Sequence, residues 1–419
     1  MIKKIIVCVF LLIATVSIAQ KSTSSPYSLY GLGLETFRGD IANRSFGSLS
    51  TYSNVSAPNY LNPASYSDVK LTSLAVGGSY TTTNIEAEEG SGSGSATTFD
   101  YLAIAIPAGK FGFGLGIKPY RSVGYSFQET IEENENNDND VNLFEGSGNV
   151  NRVYLATGVE VTKSFRIGAE FQYNFGRLEE EQVLNLQELI FPARLINQSD
   201  ITGVSYTLSG IYDYQIKEDL KLRSTVIYSA SGDIKADNSK ELASVVLSSD
   251  DFASIVDSNV TEEPDRTFKL PSILTIGVSL EKTRKWYFGS EFFIQNNNDY
   301  QDRFIDREGV SYTDAFGVKA GGFYVPKFNS LTNYLSKITY RAGFRYQELG
   351  LQINGIDINE FGISFGLGLP LPRQFSTLDL GFEVGSRGET TDTLVEENFF
   401  TVSLGLSLGQ KWFKKRKFD

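Results

Sequence analysis

Phe361-Gly362-Ile363-Ser364-Phe365-Gly366-Leu367-Gly368-Leu369 alternates a large apolar residue with glycine or serine at every step. Phe400-Thr401-Val402-Ser403-Leu404-Gly405-Leu406-Ser407-Leu408 repeats the rule. Successive side chains of a strand point to opposite faces, so each stretch carries one greasy face and one small, polar face. Working outward, the same period recurs in about fourteen segments. Near 164–177, Phe165, Ile167, Ala169, Phe171, Tyr173 and Phe175 share one face, with Arg166, Gly168, Glu170, Gln172 and Asn174 on the other. Near 337–347, Tyr340, Ala342, Phe344 and Tyr346 oppose Arg341, Gly343 and Arg345. A soluble sandwich would turn the greasy face into a dry core, whereas a transmembrane barrel turns it toward lipid and lines a lumen with the polar face. Charges facing lipid at mid-depth would cost about 2–4 kcal/mol each, while on a lumenal wall they pair across strands.

The connections alternate in length. Gly109-Lys110, Thr162-Lys163, the turn near Lys217-Glu218-Asp219 and Thr283-Arg284 are tight. The stretches at 86–95, 129–145, 178–203 and 232–271 are long, and several are acidic. Short periplasmic turns and long outer loops are the rhythm of an outer-membrane barrel. The connection at 326–336 is longer than a tight turn and departs from it. The expected fold is all-β: a transmembrane antiparallel β-barrel of about fourteen strands over 71–409, with an N-terminal hatch (plug) segment at 20–70.

The start reads as a secretory signal over 1–19. Lys3 and Lys4 precede an apolar run from Ile5 to Ile18, and Ser17-Ile18-Ala19 offers small residues for cleavage before Gln20. Together with the barrel pattern this predicts the outer membrane of a Gram-negative bacterium. Cys8 is the single cysteine and falls inside that signal, and the chain has no histidine. The usual general base, thiol nucleophile, and imidazole and thiolate metal ligands are therefore missing, which disfavours an enzyme, a metal site or a cofactor. Asp379 and Glu383 share one face but stand roughly 13 Å apart along a strand, too far for a catalytic dyad. Net charge is -12; without Lys3 and Lys4 it becomes -14. So acidic a chain repels phosphates and predicts no nucleic-acid partner. The counts of 39 Gly, 22 Tyr and 30 Phe suit a barrel with aromatic belts.

Residues 20–70 do not read as barrel strands. Leu29, Leu32, Leu34, Phe37, Phe46 and Leu49 make the segment too apolar for a solvated tail and favour a plug. Asn62-Pro63-Ala64 stands at its end, just before the first strand. In that place the tripeptide resembles the hatch signature of the FadL family of outer-membrane transporters for long-chain fatty acids and other hydrophobic compounds. The resemblance spans essentially the whole chain after the signal. It implies a fourteen-stranded barrel with an N-terminal hatch and passive uptake of hydrophobic small molecules. It also implies a kinked third strand that opens a gap in the wall for sideways exit into the outer-membrane lipid. Pro119, in the third segment near 111–128, with Tyr120 and Gly124, is the matching candidate, because proline cannot donate to a ladder. The family's apolar capture loops map onto Leu184, Leu186, Leu189, Ile190 and Phe191 and onto Leu242, Val245 and Val246, with Phe252 and Ile255 nearby. Capping of the barrel by these loops is the alternative.

A carboxylate-bearing ligand would need a cation, and Lys118, Arg121, Arg341 and Arg345 are the head-group candidates. The alternative is pairing of these cations with lumenal Glu170, Glu291, Asp379 and Glu383. The ending Gln410-Lys411-Trp412-Phe413-Lys414-Lys415-Arg416-Lys417-Phe418-Asp419 departs from an aromatic-terminated barrel and predicts a basic periplasmic tail at 410–419. A second function stays open: an accessory barrel subunit of an outer-membrane protein secretion or assembly complex. A filled lumen would favour the subunit, and a continuous apolar pocket from hatch to wall would favour the transporter.

Overall fold

The computed structural model describes residues 23–411, apart from 89, 133–139, 187–189, 248–252, 305, 372–374 and 392. The signal at 1–19, Leu189, Phe252 and most of the basic tail lie outside the described residues. In chain order come β1 (Leu34–Glu35), a short helix α1 (Ile41–Arg44) and a 3-10 turn (Pro63–Asp68). Then follow β2 (Thr72–Ala87), β3 (Gly90–Ala108), β4 (Phe111–Glu132), β5 (Asp140–Glu160), β6 (Phe165–Asn185) and β7 (Ala193–Lys217). Next are β8 (Leu220–Ser229), β9 (Asp233–Leu247), β10 (Ala253–Lys269), β11 (Ser272–Lys282) and β12 (Trp286–Asn296). The chain ends with β13 (Val310–Tyr312), β14 (Ala315–Tyr324), β15 (Thr339–Ile353), β16 (Ile356–Pro370), β17 (Thr377–Arg387) and β18 (Glu396–Gln410).

These strands build a closed, antiparallel, 14-stranded barrel. Closure is made by β18 against β2, from Glu396 opposite Glu86 to Gln410 opposite Thr72. Fourteen wall positions arise because some strands share one. β8 pairs the Thr207–Lys217 length of β7, and β9 pairs its Ala193–Gly203 length. β10 and β11 return along β9 and β8 in the same way. The break falls at Leu270-Pro271, where proline has no N–H to give, and Leu270 N–H bridges to the Gly232 carbonyl at 2.8 Å. β13 prolongs β14 along β15.

The four stretches expected as long loops are therefore largely strand among the described residues. β2 runs to Ala87 and β3 starts at Gly90, β4 runs to Glu132 and β5 starts at Asp140, β6 runs to Asn185 and β7 starts at Ala193, and β9 pairs with β10 over Asp233–Leu247 and Ala253–Lys269. Period-two burial was present at Ile234, Ala236 and Asn238, which alternate with exposed Lys235 and Asp237, but polar composition masked it. Their ladders prolong the barrel wall on the long-loop side, where backbone groups find neighbours rather than water.

The two faces follow the alternation. Leu155, Phe171, Phe288 and Leu404 are among many large apolar residues more than half exposed, on the outside. Glu170, Gln172, Asn174, Glu291, Arg345, Glu360, Asp379 and Glu383 are buried on the inside.

Candidate functional site: the lumen and the β3–β4 seam

The small inward residues of the alternating strands are the footprint of the N-terminal segment. A β-carbon on Gly168 would come within 2.2 Å of the Ala64 nitrogen, and one on Gly112 within 1.8 Å of the Tyr66 carbonyl oxygen. Across the lumen, one on Gly343 would meet the Gly47 nitrogen at 2.1 Å, and one on Gly366 the Ser45 side chain at 2.3 Å. Glycine at 168, 112 and 343 lets backbone lie directly on backbone, and at 366 it admits a serine side chain. Ile41, Tyr60, Tyr66 and Val69 then pack with Tyr101, Ala103, Tyr154 and Ala156 of the wall.

Asn62, Pro63 and Ala64 sit at this contact. Asn62 caps the 3-10 turn: its side-chain oxygen accepts from Ala64 N–H at 3.1 Å, and its amide donates to the Ser50 carbonyl at 3.1 Å. Pro63 follows the cap, where a missing N–H costs nothing. Ala64 N–H also donates to the Ser209 hydroxyl of β7 at 2.8 Å.

Ion pairs pin the segment to the wall. Arg38 reaches Glu360 at 2.7 Å and Glu383 at 3.7 Å. Arg345 holds the same two carboxylates, and Arg387 links Glu360 to Glu397, which accepts from the Ser25 hydroxyl. Asp68 is held by Arg166 at 2.6 Å and Arg223 at 3.2 Å. Arg44 meets Asp100 at 2.9 Å, and Arg303 donates to the Gly31 carbonyl. Asp40 caps α1 through Asn43 N–H at 2.7 Å. Burial pushes its carboxyl up to about 7, opposed by the Asn43 N–H and reinforced by nearby Asp379.

The third barrel strand, β4, does not pair along its length with β3. Their ladder runs only from Ala108 opposite Phe111 to Leu102 opposite Ile117, one residue before Lys118-Pro119. At Pro119 the ladder to β5 is irregular as well, shifting between Pro119 and Arg121. The N-terminal segment fills the opening from within. Leu34 pairs with Ser122 and Glu35 with Arg121, while Thr36 N–H donates to the Tyr120 carbonyl at 3.1 Å. Gly124 N–H donates to the Ser28 hydroxyl at 2.9 Å. Glycine at 124 admits the Thr23 carbonyl, and Gly94 on β3 admits Ser24. A cavity of about 80 Å³ remains there, walled by Thr23, Ser24, Glu35, Arg38, Thr98 and Asp100 among others.

A larger cavity of about 210 Å³ occupies the lumen. Its lining includes Leu34, Phe37, Ile227 and Phe293, but also the cations Arg38, Lys118, Arg121, Arg152, Lys319 and Arg345 and the carboxylates Glu35, Glu170, Glu291 and Glu360. The head-group candidates are placed as follows. Lys118, Arg121 and Arg345 line this cavity; Arg341 does not, and pairs with Asp379 at 2.7 Å. Lys118 lies 3.3 Å from Glu170 and from the Tyr60 carbonyl. Arg121 donates to the Gly33 carbonyl at 2.8 Å. Arg152 packs on the face of Tyr120, 3.6 Å from the ring centre.

The capture-loop candidates fall on neighbouring hairpins of one sheet. Leu195 stands opposite Leu242, and Val245 N–H donates to the Pro192 carbonyl at 3.0 Å. Ile190 is 90 % exposed, and Phe191, Leu242, Val246 and Ile255 are also exposed; Val245 is buried, and Leu184 and Leu186 are half-buried. Sequence reasoning missed Arg38, Arg152, Glu360 and the β1 patch. Arg38 carried a faint signal, a cation inside an apolar plug, but its partners come from strands more than 300 residues away.

The closed, antiparallel, 14-stranded barrel has the fold of FadL-type outer-membrane barrels. Solved structures with this fold include the toluene transporter TbuX of Ralstonia pickettii, with a TM-score of 0.60 and 15% identity, covering 90% of this chain and 100% of that one. The toluene transporter TodX of Pseudomonas putida gives a TM-score of 0.61 and 14% identity over 89% of this chain and 98% of that one. A Pseudomonas aeruginosa FadL homologue gives 0.57 and 12% over 88% and 98%. No curated protein sequence matches the chain. A family model does: BamG matches residues 1–419, and the chain belongs to the BamG family. The FadL likeness read from the sequence is thus a likeness of fold, and the site is set in the outer membrane of a Gram-negative bacterium.

Proposed function

We propose that the chain acts as a plugged, accessory barrel of an outer-membrane protein secretion or assembly complex. The observation that carries this reading is how closely the N-terminal segment is fitted to the wall, which leaves a lumenal cavity of only about 210 Å³. Residues 23–71 lie on a glycine bed, Arg38, Arg44 and Asp68 are paired with the wall, and Leu34–Glu35 pairs with β4 where β3 leaves it. A buried charge pair costs little while intact but several kcal/mol when one partner is withdrawn, so displacing the segment would strand several charges at once. The cavity that remains is ringed by charges and suits a hydrocarbon poorly. The chain belongs to the BamG family, and its identity to the toluene transporters TbuX and TodX is only 14–15%, so their cargo is weakly supported for this chain.

A second reading, passive uptake of hydrophobic compounds such as long-chain fatty acids, is favoured by one observation: the β3–β4 ladder stops just before Lys118-Pro119. In that reading exposed apolar residues such as Ile190 and Leu242 capture ligand, the Asn62-Pro63-Ala64 hatch shifts, and the seam opens to lipid.

Purification of the tagged chain from native membranes in mild detergent separates the two. Migration in a large complex with other outer-membrane proteins, and normal uptake of toluene and fatty acids in a deletion strain, is the result expected. A lone barrel whose deletion abolishes uptake would reverse the order of the readings.

A further inference from the structure

The connection between β14 and β15 is the exception on the short-turn side. It runs from Val325 to Ile338 and exposes four large apolar residues: Phe328 (51%), Leu331 (99%), Tyr334 (44%) and Leu335 (63%). So many together on one loop are not ordinary surface scatter. The loop is also built rather than loose. Lys327 N–H donates to the Ser336 carbonyl at 2.7 Å, Asn333 N–H to the Ser330 hydroxyl at 3.1 Å, and Leu335 N–H to the Asn333 side chain at 3.0 Å.

Two tyrosines fix where it lies. Tyr340 belongs to the outward row that includes Phe344, and its hydroxyl donates to the Leu335 carbonyl at 3.2 Å. The Tyr334 hydroxyl reaches sideways to the Pro370 carbonyl at the end of β16, also at 3.2 Å. The loop thus lies along the lipid-facing rim, continuous with the greasy outer wall. Four cations stand with it: Arg284, Lys285, Lys327 and Lys337. Arg284 packs 5.2 Å from the Phe328 ring centre and Lys337 5.6 Å from that of Tyr334. Among the described residues none of the four has a carboxylate partner, whereas neighbouring Lys282 is paired with Asp219.

We propose that this loop binds the phosphate head group of an anionic phospholipid in the inner leaflet of the outer membrane. Aliphatic and aromatic side chains at the rim enter the acyl boundary, and Lys and Arg at that level meet head-group phosphates. Short turns mark the periplasmic side, which faces the inner leaflet. Continuity with the lipid-facing wall and unpaired positive charge select a lipid over a protein as the occupant. The inference stands whether or not the barrel is an accessory subunit.

The test uses the full chain in lipid nanodiscs, with Leu331→Cys in a Cys8→Ser background carrying an environment-sensitive fluorophore. Spin-labelled phosphatidylglycerol at low density is expected to quench the probe roughly fivefold more than spin-labelled phosphatidylcholine, a preference set by charge at the rim. Combined Arg284→Gln, Lys285→Gln, Lys327→Gln and Lys337→Gln should erase that preference while heat-modifiable migration on a gel stays unchanged. Equal quenching by both lipids overturns the proposal. So does a probe left in water and unquenched, the outcome expected of a loop kept for a protein partner, or displacement of the lipid by millimolar inorganic phosphate.

Discussion

Leu34 stands directly opposite Ser122, so the N-terminal segment occupies the ladder position on β4 that β3 abandons after Leu102. The interruption of the β3–β4 ladder and the pairing of Leu34–Glu35 beside it are therefore parts of one arrangement.

That pairing is testable by cross-linking. Leu34→Cys with Ser122→Cys places two thiols on opposed strand positions, within disulfide range. Oxidation is expected to proceed almost completely. If the chain works as a plugged subunit, the cross-linked protein should still enter its complex at wild-type yield in a co-purification assay; loss of activity on cross-linking would point to a moving hatch.

Arg345 joins Glu360 and Glu383 while Arg38 approaches both from the N-terminal segment. Arg345→Ala would leave buried carboxylates short of a partner, at a cost of about 3–5 kcal/mol. Thermal unfolding in detergent, followed by gel shift, should show a clear drop in midpoint. Arg345→Met with Glu383→Leu should recover much of it, because an apolar replacement of both partners leaves fewer stranded charges.

Gly168 and Gly112 admit backbone of the 3-10 turn, and no side chain fits there. Gly168→Val or Gly112→Val should expel the Pro63–Asp68 turn without unmaking the barrel. Limited proteolysis would detect it as new cleavage within residues 23–71 beside an intact, heat-modifiable barrel. Protection equal to wild type would contradict the glycine-bed account.

Asp40 gives a pH dependence with a defined sign. Its carboxyl is pushed up to about 7 in the folded protein, mainly by burial. The folded state therefore holds a proton that the unfolded chain has released above about pH 4. Plug docking should be firmest below that pH, weaken as pH climbs toward 7, and then level off. Asp40→Asn keeps the cap on α1 and should flatten the profile, measured as protease protection across the range.

Leu404 faces outward at mid-strand of β18, opposite Leu380 and Gly78. Leu404→Arg should destabilise the barrel by about 2–4 kcal/mol in a bilayer. Folding yield into vesicles under urea titration is the measurement. A negligible effect would mean that water, and not lipid, touches this face.

Much of the wall was legible in the chain because strand alternation is local. Phe165 through Phe175 shows its two faces without any knowledge of neighbours. The β9–β10 hairpin was not legible, since Lys235, Asp237 and Lys240 give it the composition of a loop, and only the β7 ladder beside it makes extended backbone favourable. The N-terminal segment was legible only as too apolar for solvent.

Its seat was not. Sequence by itself determined an all-β barrel, its approximate strand number, the lipid-facing rows and the absence of histidine chemistry, because each depends on residue type and a period of two. Tertiary structure alone decided that the inward glycines of β4, β6, β15 and β16 form a bed for the N-terminal segment. It also decided that Arg38 meets Glu360 across more than 300 residues and that Leu34–Glu35 pairs with β4 beside Pro119. Those contacts depend on which strands the closed ring brings face to face, and closure is a property of all fourteen wall positions together, which no single stretch encodes.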